Sequence, residues 1–194
     1  MDILNRCALV LRLPSELADG LGRAQIELRK RAGGDLVRWT PTTELVLTIV
    51  SLGELSASQI VQVDATVGPI IQRYRRMSFS VEGIGGSPTN LQPRFVWAGI
   101  AGEVDPLKQL NSELERGLAP MLRNHEVKEF DARIPLGRIK QESESTRSSL
   151  GRALRVANIG PIGSLSADEV CLVRYSGTSM GVTILDVNRY VLGG

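Results

Sequence analysis

Histidine is nearly absent from this chain: His125 is the only one among 194 residues. That scarcity excludes much chemistry. Imidazole is the one side chain whose ordinary pKa lies near neutrality, so a single copy cannot supply a pair that trades base and acid roles. A hydrolytic triad lacks support for the same reason, and Ser176, in Tyr175-Ser176-Gly177, has only a turn context rather than a nucleophile elbow. Cysteine is scarce too. Cys7 and Cys171 sit far apart inside apolar runs, which reads as two buried thiols rather than a redox pair or metal site. With acidic residues scattered and no ligand spacing among them, neither a metal nor another cofactor is expected.

Aromatic residues make up 4% of the chain, too few to interleave with basic residues as a base-stacking platform requires. Net charge is +2, so no global field draws in nucleic acid or membrane, and any anion affinity must come from local clusters. No apolar run approaches the length of a membrane span. The segment Met1–Arg6 lacks a basic region followed by an apolar core and cleavage site. With thiols that suit a reducing compartment, this leads to the expectation of a cytoplasmic protein without a membrane partner, most simply a monomer.

What is present is an ordinary globular composition, 42% apolar and 23% charged, ordered in a mixed rhythm. Cys7–Leu13 reads as a buried strand ending at Pro14, and Ser15 as the cap of a helix with Leu17, Leu21, Ala24 and Leu28 on one face. Arg29-Lys30-Arg31 and then Gly33-Gly34 mark its end. Leu36–Trp39 and Leu45–Leu52 follow as strands, the latter broken by Gly53. Ser56–Gln59 is a capping box for a second helix, and Gly68-Pro69 is expected to kink or break it. Phe79–Ile84 and Arg94–Ile100 read as strands joined through Gly85-Gly86. Gly83-Ile84-Gly85-Gly86 leads into proline rather than a helix, so a hairpin connection outranks a phosphate loop.

Asp105-Pro106 reads as the cap and first residue of a third helix carrying Leu107, Leu110, Leu114, Leu118 and Met121. A strand near Arg133, a helix near Ser148–Ala157 and two strands, Val170–Tyr175 and Val182–Val191, complete the order. That order argues α+β rather than a doubly wound parallel sheet. A strand followed by helix and further strands occurs twice, which suggests a weak internal duplication within one domain over 1–194. Arg73, Arg75 and Arg76, like Arg29–Arg31, read as helix-terminal cations, Trp39 and Trp97 as core packing, and His125 as a solvated loop residue.

Several segments, in order, resemble the 2H phosphoesterases, the RNA 2',3'-cyclic phosphodiesterase or 2'-5' RNA ligase (LigT-like) family. Leu9–Pro14 is similar to its first strand. Val37-Arg38-Trp39, Glu44–Thr48 and Leu52-Gly53-Glu54 resemble the passage that carries its first His-x-Thr-x motif. Pro93–Gly99 resembles a proline-arginine strand ending in tryptophan and glycine, Phe130–Arg138 the second His-x-Thr-x strand, and Ser166–Leu172 with Arg174 its closing strand.

The resemblance implies that the halves of this domain are two pseudo-symmetric lobes, a two-lobed α+β fold with two antiparallel sheets facing across a central groove and helices outside. It implies that two histidines perform proton transfer on a 2',3'-cyclic phosphate while the threonines hold phosphate oxygens. Here the histidine positions hold Val46 and Arg133, and the second threonine is Pro135. Valine transfers no proton and arginine stays charged. Each lost proton carrier is worth about 10²–10⁴-fold in rate. The expectation is therefore a degenerate centre without catalytic residues, in which Thr48, Arg133 and Arg138 bind RNA or a nucleotide phosphate. Residual cyclic phosphodiesterase activity and a protein-interaction scaffold are the alternatives.

Overall fold

The computed structural model of the chain describes residues 5–33, 35–122, 130–157, 159–178 and 181–194. Strand β1 (Asn5–Arg12) is buried on both faces: Cys7, Leu9 and Leu11 enter one apolar cluster, Ala8 and Val10 another. Helix α1 (Ser15–Arg31) has Pro14 at its N-cap, so Ser15 is the first helical residue rather than the cap. The carbonyl of Pro14 accepts the first helical bond, from the amide of Ala18, and no side chain caps the amides of the first turn. Leu17, Leu21, Ala24 and Leu28 are buried as their spacing predicts. Gly33, at φ +75°, turns the chain out beyond the last helical turn.

Strand β2 (Val37–Trp39) and a 3₁₀ turn at Thr42–Glu44 lead into β3 (Val46–Leu55). Gly53 does not break β3. It adopts φ +69° where the pairing steps from Cys7–Gly53 to Ala8–Ser51, so its conformational freedom bends the strand at a bulge. Helix α2 (Ala57–Ile71) opens with the Ser56–Gln59 capping box and runs through Gly68-Pro69 without breaking. Proline lies in the last turn, where it forfeits one i→i−4 bond just before the helix ends anyway.

Strand β4 (Met77–Ser87) contains Gly85 and Gly86, which pair with Trp97 and Val96 of β5 (Phe95–Gly102) instead of forming the connection. Helix α3 (Val104–Leu118) follows Glu103, so Asp105 and Pro106 lie inside its first turn, and Asp105 is not the cap. Leu107, Leu110, Leu114 and Leu118 are fully buried.

Strand β6 (Arg133–Ile139) precedes α4 (Glu144–Val156), which starts earlier than its apolar residues imply because the Ser143 hydroxyl accepts from the amide of Thr146. Strands β7 (Pro161–Ala167), β8 (Glu169–Thr178) and β9 (Gly181–Val191) complete the chain order. The sequence gives little warning of β7. Pro161, Gly163, Ser164 and Ser166 are poor strand formers, and its strand character comes from the ladder it makes with β4.

The strands form two antiparallel sheets, one ordered β3-β1-β8-β9 and the other β2-β6-β5-β4-β7. This is an α+β fold, as the order of elements predicts. The chain passes back and forth between the sheets, so neither is a contiguous half of the sequence. Helices α2 and α3 pack together outside the first sheet, and α1 and α4 outside the second. The outward faces of both sheets meet those helices in one large core. The inward face of the first sheet carries a separate cluster of Ala8, Val10, Val46, Cys171 and Val173 that contains no helical residue.

Two buried amides tie helices to strands. Asn111 of α3 donates to the carbonyl of Ile49 in β3 at 2.8 Å. Gln25 of α1 donates to the carbonyls of Thr40 (2.8 Å) and Leu136 (3.0 Å), linking the approach to β3 with the middle of β6. No described helix is long and apolar enough to cross a membrane.

Candidate functional site

Strands β3 and β6 lie next to each other where the two sheets meet. On β3, Val46 is only 5% exposed and belongs to the inner apolar cluster. Thr48, two residues on and facing the same way, is half-buried. Near it lies the phenol of Tyr175 on β8, which packs against the same cluster and is acted on by the Thr48 hydroxyl. Burial pushes the Tyr175 phenol up from its ordinary pKa, against the Thr48 hydrogen bond and the charges of Arg6 and Arg12. Arg12 reaches across the sheet to β9, where its Nε lies 3.0 Å from a carboxylate oxygen of Asp186 and its Nη2 3.1 Å from the carbonyl of Ile184.

On the second sheet the inward residues follow from register. Arg138 pairs with Phe95, Pro135 with Trp97, and Arg133 with Gly99. Leu136 is the extra residue of a bulge, because pairing skips from Gly137 to Pro135. A proline cannot donate to the ladder, and a bulge is where a central strand tolerates one. The carbonyl of Leu136 then accepts from both the Thr40 amide and Gln25.

Trp97 lies flat on Gly85: a Cβ there would fall 2.2 Å from two atoms of the indole ring. The Arg133 guanidinium stacks on the indole, its carbon 4.0 Å from the ring centroid, and its Nε bonds Asp131 at 2.8 Å. Arg138 sits 5.4 Å above Phe95, pairs with Glu142 at 3.3 Å, and is largely exposed. Beside Arg133 opens a cavity of about 480 Å³ lined in part by Gly99, Lys108, Phe130 and Asp131.

The groove thus joins an apolar patch with two hydroxyls on one wall to cations held on aromatic rings on the other. The arrangement suits recognition of an anion with an attached ring. Among the described residues the groove holds no histidine. His125 lies outside the described residues. Among the described residues there is no group of three His, Cys, Asp or Glu side chains able to hold a metal ion.

Val46 and Thr48 share the inner face of the first sheet, and Arg133 and Arg138 that of the second. The helix-terminal cations belong to the ends of α1 and α2, outside the sheets, where Arg29, Arg31, Arg73, Arg75 and Arg76 pair with Asp35, Glu27, Glu113, Glu103 and Asp168. Both cysteines are buried and free, as their apolar settings imply. Burial, with Asp186 and Glu169 nearby, pushes the Cys171 thiol up to about 11.

Tyr175 escaped the sequence reading, although it alternates with Cys171 and Val173 and so shares their face. The stack of Arg133 on Trp97 was also missed. It depends on the empty position at Gly85, which only the β4–β5 register reveals.

Two antiparallel sheets with helices outside agree with the fold that the resemblance to the 2H phosphoesterases implies. No protein-family model matches the chain. It is 24% identical to an RNA 2',3'-cyclic phosphodiesterase of Aquifex aeolicus over 162 residues, 81% of this chain and 82% of that one. It is 26% identical to another protein of that name from Archaeoglobus fulgidus over 116 residues, 60% of this chain and 64% of that one. Among solved structures, Escherichia coli LigT complexed with 3'-AMP matches with a TM-score of 0.76 at 22% identity, covering 98% of this chain and 99% of that one. LigT complexed with phosphate matches over the whole of both chains with a TM-score of 0.74. The chain has the LigT-like fold, and its relatives support the 2H phosphoesterase superfamily.

Proposed function

We propose that this chain is an RNA 2',3'-cyclic phosphodiesterase-like (2'-5' RNA ligase-like) protein with degenerate motifs, catalytically inactive or strongly impaired. Its groove binds a nucleotide phosphate or an RNA end through Thr48, Arg133 and Arg138. The observation that carries this reading is the single histidine of the whole chain, combined with Val46 buried among apolar side chains at the first motif position. Proton shuttling in both directions needs two titrating groups, and an arginine fixed on Trp97 supplies only charge. The likeness to a LigT structure complexed with phosphate and to one with 3'-AMP supports the ligand class.

Calorimetric titration with 2'-AMP, 3'-AMP and short 3'-phosphorylated RNA tests binding, and incubation with a 2',3'-cyclic nucleotide tests turnover. Saturable binding that Arg133→Ala weakens, without turnover, is the expected result. If Arg133→Ala leaves the affinity untouched, the groove assignment is wrong. Turnover that survives rigorous purification and vanishes in a groove variant would establish a residual phosphodiesterase instead.

A further inference from the structure

Strand β8 contributes a residue to the groove that the motif pattern does not contain. Alternation along β8 turns Cys171, Val173 and Tyr175 to the inner face, and the first two are buried in the cluster around Val46. Tyr175 packs over that cluster, half-buried, and its hydroxyl meets that of Thr48. Between their strands runs β1, where the small side chain of Ala8 belongs to the same cluster and leaves room for a ring to lie across. Each hydroxyl has one proton and two lone pairs. In a hydrogen-bonded pair one proton is used between the partners, and the other remains to be donated outward. Arg6 stands opposite Tyr175 in the ladder with β1, and Arg6 and Arg12 both act on the phenol, so the surroundings are electropositive.

We propose that Tyr175 is a positioning residue for phosphate: with Thr48 it forms a hydroxyl pair whose one outward proton orients the 2'- or 3'-phosphate of a nucleotide on the first sheet. The proposal rests on the groove reading above and adds a contact to it. Tyr175 supplies a neutral donor beside the charged ones, and burial keeps its proton in place well above neutrality.

The test is calorimetric titration of 3'-AMP, inorganic phosphate and adenosine into the native chain and into Tyr175→Phe, Thr48→Val, the double variant and Arg133→Ala. Thermal unfolding of each variant confirms the fold. Tyr175→Phe is expected to raise Kd for 3'-AMP and for phosphate about tenfold, the loss of one hydrogen bond to a charged group. Adenosine affinity should not change. The double variant should lose little more than the worse single one, because the two hydroxyls act as a unit. The native affinity should hold from pH 7 to above pH 9, where a phenol of ordinary pKa starts to ionise. Should Tyr175→Phe destabilise the fold, Thr48→Val and the pH profile still read the pair. Native-like phosphate affinity in Tyr175→Phe with weakened binding in Arg133→Ala overturns the Tyr175 proposal and leaves the groove standing. Equal loss of adenosine affinity overturns it as well. If neither variant changes affinity, or the native chain does not bind, the groove reading falls and the proposal with it.

Discussion

Gly85→Ala is the most direct probe of how the cationic wall is built. The new methyl would fall 2.2 Å from two atoms of the Trp97 ring, far inside van der Waals contact. Since those atoms belong to a rigid bicycle, a small rotation cannot clear them. The indole must lift, and Arg133, 4.0 Å above its centroid, must leave with it. Overpacking of this kind costs about 1–3 kcal/mol, and a cation–π stack at a half-exposed site about 0.5–2 kcal/mol. The unfolded chain moves the other way, since alanine in place of glycine is worth about 0.4–1 kcal/mol when the site accepts it. The net is a loss of about 1–4 kcal/mol, a fall in Tm of roughly 3–15 °C for a chain of this size.

Gly160 is the control, because a Cβ there meets nothing within 4 Å and Gly160→Ala should not destabilise. Trp39 and Trp97 are the only tryptophans, so a Trp39→Phe background makes Trp97 the sole indole reporter. In that background Gly85→Ala should shift the emission to the red as the ring meets water. Unchanged Tm and emission would refute the stacked arrangement, and with it the account of how Arg133 is held.

Gln25→Leu should cost about 1–3 kcal/mol in urea unfolding, because it takes a buried donor from the carbonyls of Thr40 and Leu136. A change within 0.5 kcal/mol by the same measure would mean the amide is not a tie between the strand approaches. Asp186 gives the pH dependence. Burial opposes its ionisation, but Arg12 and then Arg189 hold its carboxyl below the usual range. A depressed folded pKa contributes stability above the unfolded value, about 4, and loses it as pH falls through the folded one. Asp186→Asn should therefore flatten the fall of Tm below about pH 4. An unaltered acid limb would show that the pairs of Arg12 and Arg189 with Asp186 contribute nothing.

Where one physical rule governed an element, the sequence was enough to read it. The helical spacing of Leu107, Leu110, Leu114 and Leu118, the Ser56–Gln59 box and the apolar run of β1 all formed as their patterns demand. The errors fall where two rules compete. Glycine at 53, 85 and 86 reads as chain-breaking, yet each serves a strand, one by bending it and the others because a neighbour occupies the space of the missing Cβ. Asp105-Pro106 has the composition of a helix start but lies within the first turn. At the candidate site the strand carrying Val46 was legible from local pattern, and the one carrying Arg133 from the family resemblance. The contacts of Tyr175 with Thr48 and of Trp97 with Gly85 were not, because each joins strands remote in sequence and depends on register.

The passage of the chain between the two sheets has a practical consequence. In the first sheet β1 is bonded on one side to β3 and on the other to β8, with Leu9 opposite Leu172. Such non-local pairing is slow to form, and the wall that carries Thr48 and Tyr175 is complete only once β8 has been added. The wall made by the first sheet therefore draws its strands from both ends of the chain. A ligand that spans both walls binds the native state alone, and at one hundred times its Kd it adds about 2.7 kcal/mol to stability. Melting temperature thus becomes a counter for occupancy, and a panel of nucleotides can be ranked by heat alone before any chemistry is assumed.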